Sequence, residues 1–192
     1  PMTRAELRDA TCDTCRVNGL RDAYIRLVVT RGVGDLGLSP WLCPKPSVFI
    51  IADKISLYPQ EHYDKGLAIV TVPTRRINPA ALPPTIKSLN YLPAILARRE
   101  AVKQNCFEAV YHTEGTGRGD RGTVLEGTTS NVFVVRRGEV WTAPISAGLL
   151  PGVTRRKTLR LARKVTTVHE ERFSVKDLMA ADEVFLTASS IE

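Results

Sequence analysis

The stretch Thr85-Ile86-Lys87-Ser88-Leu89-Asn90-Tyr91-Leu92 follows two prolines, Pro83 and Pro84, and leads into a helical pattern. It places one lysine just before a helix in mostly uncharged surroundings. A lysine kept from water there favours its neutral form. A neutral amine is a nucleophile that can form a Schiff base with a carbonyl compound. The other reading is a lysine near a helix start whose stem snorkels to solvent.

Around this stretch the sequence divides in two. Upstream, Thr3 and Glu6 form a capping-box pattern for a helix running to about Asn18, where Gly19 stops it. Strands follow at Tyr24–Thr30, Ser47–Ala52 and Leu67–Val72, rich in β-branched residues. Residues 75–84 (RRINPAALPP) carry three prolines and read as a connection between domains. Downstream, a helix from about Asn90 to Asn105 should present Leu92, Ile95, Leu96 and Arg99 on its apolar face. Short strands are expected at Glu108–His112, Thr123–Leu125, Asn131–Val135, Glu139–Thr142, Val165–Val168 and Glu183–Thr187. Helices fall at about Gly152 to Lys164 and Val175–Met179. This mixed order gives an α+β or α/β class.

The 192 residues carry a formal charge of +7, which permits nucleic acid or anionic metabolites as partners. The basic residues are scattered pairs such as Arg98-Arg99 and Arg155-Arg156, without the basic helix or aromatic-basic strand of a nucleic-acid site. A non-catalytic module for polyanions is therefore the reading from another class. Cys12 and Cys15 make one C-x-x-C inside a helix, without the second pair or the histidine that zinc would need. They read as reduced thiols on a helix face, in a cytoplasmic protein with no metal. No run has the length of a membrane span. The turn Thr113–Gly122 reads as a surface insertion.

Two further segments carry chemistry. In Leu125-Glu126-Gly127-Thr128-Thr129-Ser130-Asn131-Val132-Phe133 a carboxylate closes one strand, a small polar turn follows, and an apolar strand leaves. A flat ligand can approach such a backbone closely. The carboxylate can pair with a protonated ring nitrogen, as pyridoxal 5′-phosphate (PLP) requires. The alternative is a hairpin with an exposed Glu. In Leu149-Leu150-Pro151-Gly152-Val153-Thr154 an uncharged turn opens a helix, either as a phosphate site or as plain capping.

Together, IKSLNYL, LEGTTSNVF, LLPGVTR and ADEVFLTASS resemble the class IV aminotransferases in order and spacing. This PLP-dependent family includes branched-chain and D-amino acid aminotransferases and aminodeoxychorismate lyase. The resemblance implies a small α+β domain over residues 1–75, a linker over 76–84 and a larger PLP-binding domain over 85–192. It implies Lys87 as the catalytic lysine that joins the cofactor covalently, Tyr91 at its ring oxygen and Glu126 at the pyridine nitrogen. Val153, Thr154 and Ser189 would hold the phosphate, and the Ser190 backbone would face the substrate carboxylate. Residues 34–40 (GDLGLSP) lack both the Arg-x-His trap of the D-amino acid enzymes and the Arg-Gly-Tyr of the lyases. YIRLVVTRGVGDLGLSP is most similar to branched-chain aminotransferases. The expected activity moves an amino group between leucine, isoleucine or valine and 2-oxoglutarate, in a homodimer without nucleic-acid or membrane partners. Pro1-Met2-Thr3 and the ending at Glu192 suggest a fragment cut at both ends, inactive by itself.

Overall fold

The computed structural model describes residues 2–72, 77–115 and 122–189. Arg75, Arg76, Ser190 and the middle of the expected insertion lie outside the described residues. The chain forms two compact units, Pro1–Leu57 and Tyr58–Glu192.

In the first unit, α1 (Arg4–Val17) begins where expected. The Thr3 hydroxyl accepts from Glu6 N, and the Glu6 carboxylate accepts from Thr3 N. Those bonds satisfy backbone donors that no helical turn reaches. They also hold the Glu6 carboxyl below its ordinary range. Strands β1 (Tyr24–Thr30) and β2 (Ser47–Asp53) pair antiparallel, from Tyr24↔Asp53 to Thr30↔Ser47. Cys12 and Cys15 lie on α1 as free thiols.

The second unit opens with α2 (Gln60–Lys65), a helix without an apolar periodicity. Its i,i+4 pairs Lys65–Glu61 (2.7 Å) and Gln60–Asp64 (3.0 Å) support it instead. β3 (Ile69–Thr71), α3 (Leu92–Lys103) and β4 (Glu108–His112) follow, with β3 and β4 parallel across the helix. β5 (Val124–Gly127), β6 (Asn131–Arg136) and β7 (Glu139–Thr142) continue the sheet antiparallel. After α4 (Val153–Ala162), β8 (Val168–Glu170) joins β7 in parallel. α5 (Val175–Met179) leads to β9 (Glu183–Thr187), which pairs with β6. The result is a seven-stranded sheet.

Two expectations need correction. On α3 the buried residues are Ala97 and Ala101, while Leu92 and Ile95 are 65% and 61% exposed. The alanines join Ala109, Tyr111, Leu125 and Val72 in one cluster. Small side chains let the helix lie close on β4, so contact distance rather than residue size chose the face. The strand expected at Val165–Val168 begins at Val168, because residues 163–166 wind off α4. Lys164 N donates to Leu161 O, and Val165 N and Thr166 N both donate to Ala162 O.

The core around β6 contains Val132, Phe133 and Val134, all fully buried. The Phe133 ring lies parallel to that of Phe185 on β9, with centroids 5.0 Å apart. Phe133→Ala should cost about 3–5 kcal/mol, the usual range for removing a buried aromatic. Val17→Ala, at a residue 87% exposed, should change stability by no more than about 0.5 kcal/mol. Urea titration of the two variants checks the contrast.

Candidate active site

Lys87 sits in a non-helical segment held by short turns. Ile86 N donates to Pro83 O, Ser88 N to Ile86 O, and Tyr91 N to Leu89 O, at 2.8–3.0 Å. Asn90 Nδ2 reaches Ser88 Oγ at 3.2 Å. This chain of turns ends where Pro93 allows α3 to begin. The lysine is exposed, contrary to the expectation that its surroundings keep water away. Its apolar neighbours Ile86 and Leu89 are themselves 55% and 60% exposed, so they form no wall over the amine.

Lys87, Tyr91 and Glu126 line one cavity of about 140 Å³, together with Thr128, Thr129 and Leu150. The structure thus joins two distant sequence motifs and the start of the third. Val153, Thr154 and Ser189 are not among the residues lining it. Ser190 falls outside the described residues.

Glu126 is the penultimate residue of β5 and is 6% exposed. Its Oε2 accepts from Leu150 N at 2.9 Å and from Asn131 Nδ2 at 3.2 Å. A buried carboxylate needs such donors. The hairpin with an exposed Glu is therefore excluded. The turn after it rests on a second buried carboxylate, Glu108 at the head of β4. Glu108 Oε1 accepts from Thr128 Oγ1 (2.7 Å) and from Ala109 N (2.8 Å), and Oε2 accepts from Ser130 Oγ (3.4 Å). Arg98 on α3 lies 3.9 Å from Glu108. A Cβ at Gly127 would overlap Ser130 Oγ and crowd Glu108, so a side chain there would push the Ser130 hydroxyl off Glu108.

α4 begins after Gly152, which has no side chain to cap it. Its first-turn N–H groups lie beyond the reach of helical acceptors, so an anion can complete them. Of the two arginines in that turn, Arg155 turns inward and is 4% exposed, while Arg156 faces solvent. Arg155 Nη2 donates to Ala143 O and to Glu170 Oε2, both at 2.9 Å. Arg163, just past α4, reaches the other oxygen of Glu170 at 2.5 Å. The anionic partner of Arg155 is therefore a side chain of β8, and the pair fixes α4 against the sheet.

The row Glu126↔Asn131↔Thr187 crosses β5, β6 and β9. The Thr187 hydroxyl is buried and has no hydrogen-bond partner among the described residues. An orphaned hydroxyl in the same strand row as a buried carboxylate, together with the uncapped start of α4, suits a ligand with a ring nitrogen and a phosphate. Glu108, Asn131 and Arg155 escaped the sequence reading of the site. The only signal for Glu108 was a charge opening an otherwise apolar strand.

These features are compatible with a phosphorylated aromatic aldehyde, the kind of ligand that a lysine amine can hold. The chain matches the family model for amino-transferase class IV over residues 1–192, and it belongs to that family. Its cofactor is pyridoxal 5′-phosphate. The chain is 44% identical over 193 residues to a putative branched-chain-amino-acid aminotransferase of Methanocaldococcus jannaschii, covering 100% of this chain and 64% of that relative. It is 31% identical over 192 residues to the D-alanine aminotransferase of Bacillus licheniformis, again covering 100% of this chain and 64% of the relative. Among solved structures, it resembles the PLP form of the branched-chain amino acid aminotransferase from Thermobaculum terrenum. That match has a TM-score of 0.82 at 31% identity, over 98% of this chain and 60% of the other. The chain thus spans less than two thirds of the length of these relatives. No helix among the described residues is long and apolar enough to cross a membrane.

The anchor of α4 is sensitive to acid. Partial burial works against ionising Glu170, but hydrogen bonds and charge from Arg155 and Arg163 outweigh it and hold the carboxyl below its ordinary value. A lowered folded-state value means the stabilisation is present above the unfolded value, about 4.3, and fades as pH falls through the folded one. Wild-type protein should therefore exceed Glu170→Gln in stability at pH 7. Denaturant melts across pH 3–7 should show that gap closing on acidification.

Proposed function

We propose that the protein transfers amino groups between a branched-chain L-amino acid (leucine, isoleucine or valine) and 2-oxoglutarate, as a cytoplasmic homodimer. The observation that carries this reading is the single cavity shared by Lys87, Tyr91 and Glu126. The 44% identity to the branched-chain relative and the absence of an Arg-x-His in residues 34–40 favour branched-chain over D-amino acid substrates. The D-amino acid reading retains support from the Bacillus licheniformis relative. In domain terms, residues 1–75 belong to a smaller domain that lends β3 to the larger sheet, 76–84 connect, and 85–192 hold the cofactor.

When bound, the cofactor supplies an electron sink for the charge left at the substrate Cα. Lys87 Nζ would hold the cofactor before substrate binds. It then acts as general base for the Cα proton and as the acid that returns it. Glu126 keeps a proton on the ring nitrogen, and the donors from Leu150 and Asn131 fix its carboxylate in place. Tyr91 would donate to the ring oxygen. The Val153 and Thr154 N–H groups and the Ser189 hydroxyl, beyond the cavity lining, would bind the phosphate, and Ser190 would serve the substrate carboxylate. The turn held by Glu108 lines the cavity through Thr128 and Ser130.

Borohydride treatment of the full-length holoenzyme should fix the pyridoxyl group on Lys87. Peptide mapping that finds it on another lysine would sink this assignment. Lys87→Ala should abolish turnover yet keep non-covalent PLP.

Glu126→Gln in the same protein should lower turnover at least about a hundredfold, the scale of losing a key electrostatic stabiliser. Steady-state assays should be run with L-leucine and with D-alanine as donors. Wild-type turnover by Glu126→Gln rejects the cofactor orientation, and preference for D-alanine rejects the substrate class.

A further inference from the structure

Asn131 is a buried amide at the start of β6, 5% exposed. Its Nδ2 donates to Glu126 Oε2 at 3.2 Å and to Leu150 O at 3.0 Å. Leu150 N donates back to the same Glu126 oxygen at 2.9 Å. Glu126, Asn131 and Leu150 therefore form a closed ring of hydrogen bonds. The Asn131 Oδ1 faces Gly152, where a Cβ would overlap it. Gly152 N in turn donates to Leu150 O. One side chain thus touches the proposed ring-nitrogen carboxylate, the turn before α4 and the residue that opens the helix.

We propose that Asn131 is the positioning residue that couples the nitrogen end of the cofactor site to its phosphate end. It sets the separation of Glu126 from the α4 N-terminus, so both ends of one rigid ligand are met at once. This inference rests on the proposed roles of Glu126, Val153 and Thr154. An amide suits the position because its two N–H groups serve a carboxylate and a carbonyl together. A carboxylate in its place would repel Glu126 at hydrogen-bond distance.

The test is a double-mutant cycle in the full-length protein, reading the PLP dissociation constant by equilibrium dialysis alongside turnover. Asn131→Asp should weaken PLP binding by at least about tenfold, the scale of losing a charge-assisted hydrogen bond. With Asn131→Asp added to Glu126→Gln, amide and carboxylate have changed places and the contact between 126 and 131 regains a donor and an acceptor, while the bond to Leu150 O is lost in both backgrounds. There, adding Asn131→Asp should cost several-fold less in affinity than it does beside Glu126, while turnover stays as low as in Glu126→Gln alone. Such non-additivity marks direct coupling, whereas a role in packing alone gives the same loss in both backgrounds. Equal losses, or wild-type affinity in Asn131→Asp, would overturn the proposal. If Asn131→Asp fails to fold, Asn131→Ala run through the same cycle separates the same two outcomes, with the larger loss expected beside Glu126. Failure of the underlying reading shows separately, as wild-type turnover by Glu126→Gln.

Discussion

A carboxylate can be buried only where donors replace the water it gives up. Two such groups, Glu126 lining the cavity and Glu108 bonded to the turn beside it, sit on adjacent strands, and much of the local geometry follows from satisfying them. Glu126 draws in Leu150 N and Asn131, which fastens the turn before α4 to the sheet. Glu108 draws in the hydroxyls of Thr128 and Ser130, which fixes the shape of the turn between β5 and β6. The glycines at 127 and 152 are consequences, because a side chain at either would displace the groups that serve the carboxylates. The small-residue sequence of the 126–131 turn is thus a condition for keeping charge inside the protein.

The site has a fixed half and an exposed half. Glu126, Asn131 and Arg155 are all buried and bonded to neighbouring strands or turns. Lys87 instead lies on a segment of consecutive turns and is exposed. The division suits the proposed chemistry. Groups that hold the cofactor ring gain from rigidity, since preorganised electrostatics cost no rearrangement during reaction. A lysine that is to release a cofactor and carry a proton, as proposed for Lys87, needs side-chain freedom.

Much of this was legible in the residues. The capping box at Thr3 and Glu6 located α1 because cap chemistry is local. Alternating β-branched residues located β1, β2 and β6, and three motifs marked the segments that meet around the cavity. What was not legible depended on partners far along the chain. The face of α3 was misjudged because Leu92 and Ile95 advertise burial, while the sheet accepted the alanines. α2 carried no apolar period to detect. Glu108 looked like an ordinary charge at a strand start, since its hydroxyl partners lie twenty and twenty-two residues away. Arg155 and Arg156 were indistinguishable neighbours until the helix turned one inward toward Glu170.

The inward turn of Arg155 bears on how a helix start can serve an anion. A helix N-terminus carries the positive end of the dipole, so a cation in the first turn is poorly placed unless an anion meets it. Two arginines follow Thr154, an arrangement unfavourable for the helix alone. The structure resolves the conflict by pairing. Arg155 is met by Glu170 at 2.9 Å, and the same carboxylate also binds Arg163. Its charge is spent within the fold, and its guanidinium pins the helix through Ala143 O. Arg156 faces outward, where its charge adds attraction for anions approaching from solvent. The backbone N–H groups of the first turn are thereby kept for whatever anion the site receives, and their position is set from one side by Asn131 and from the other by Arg155.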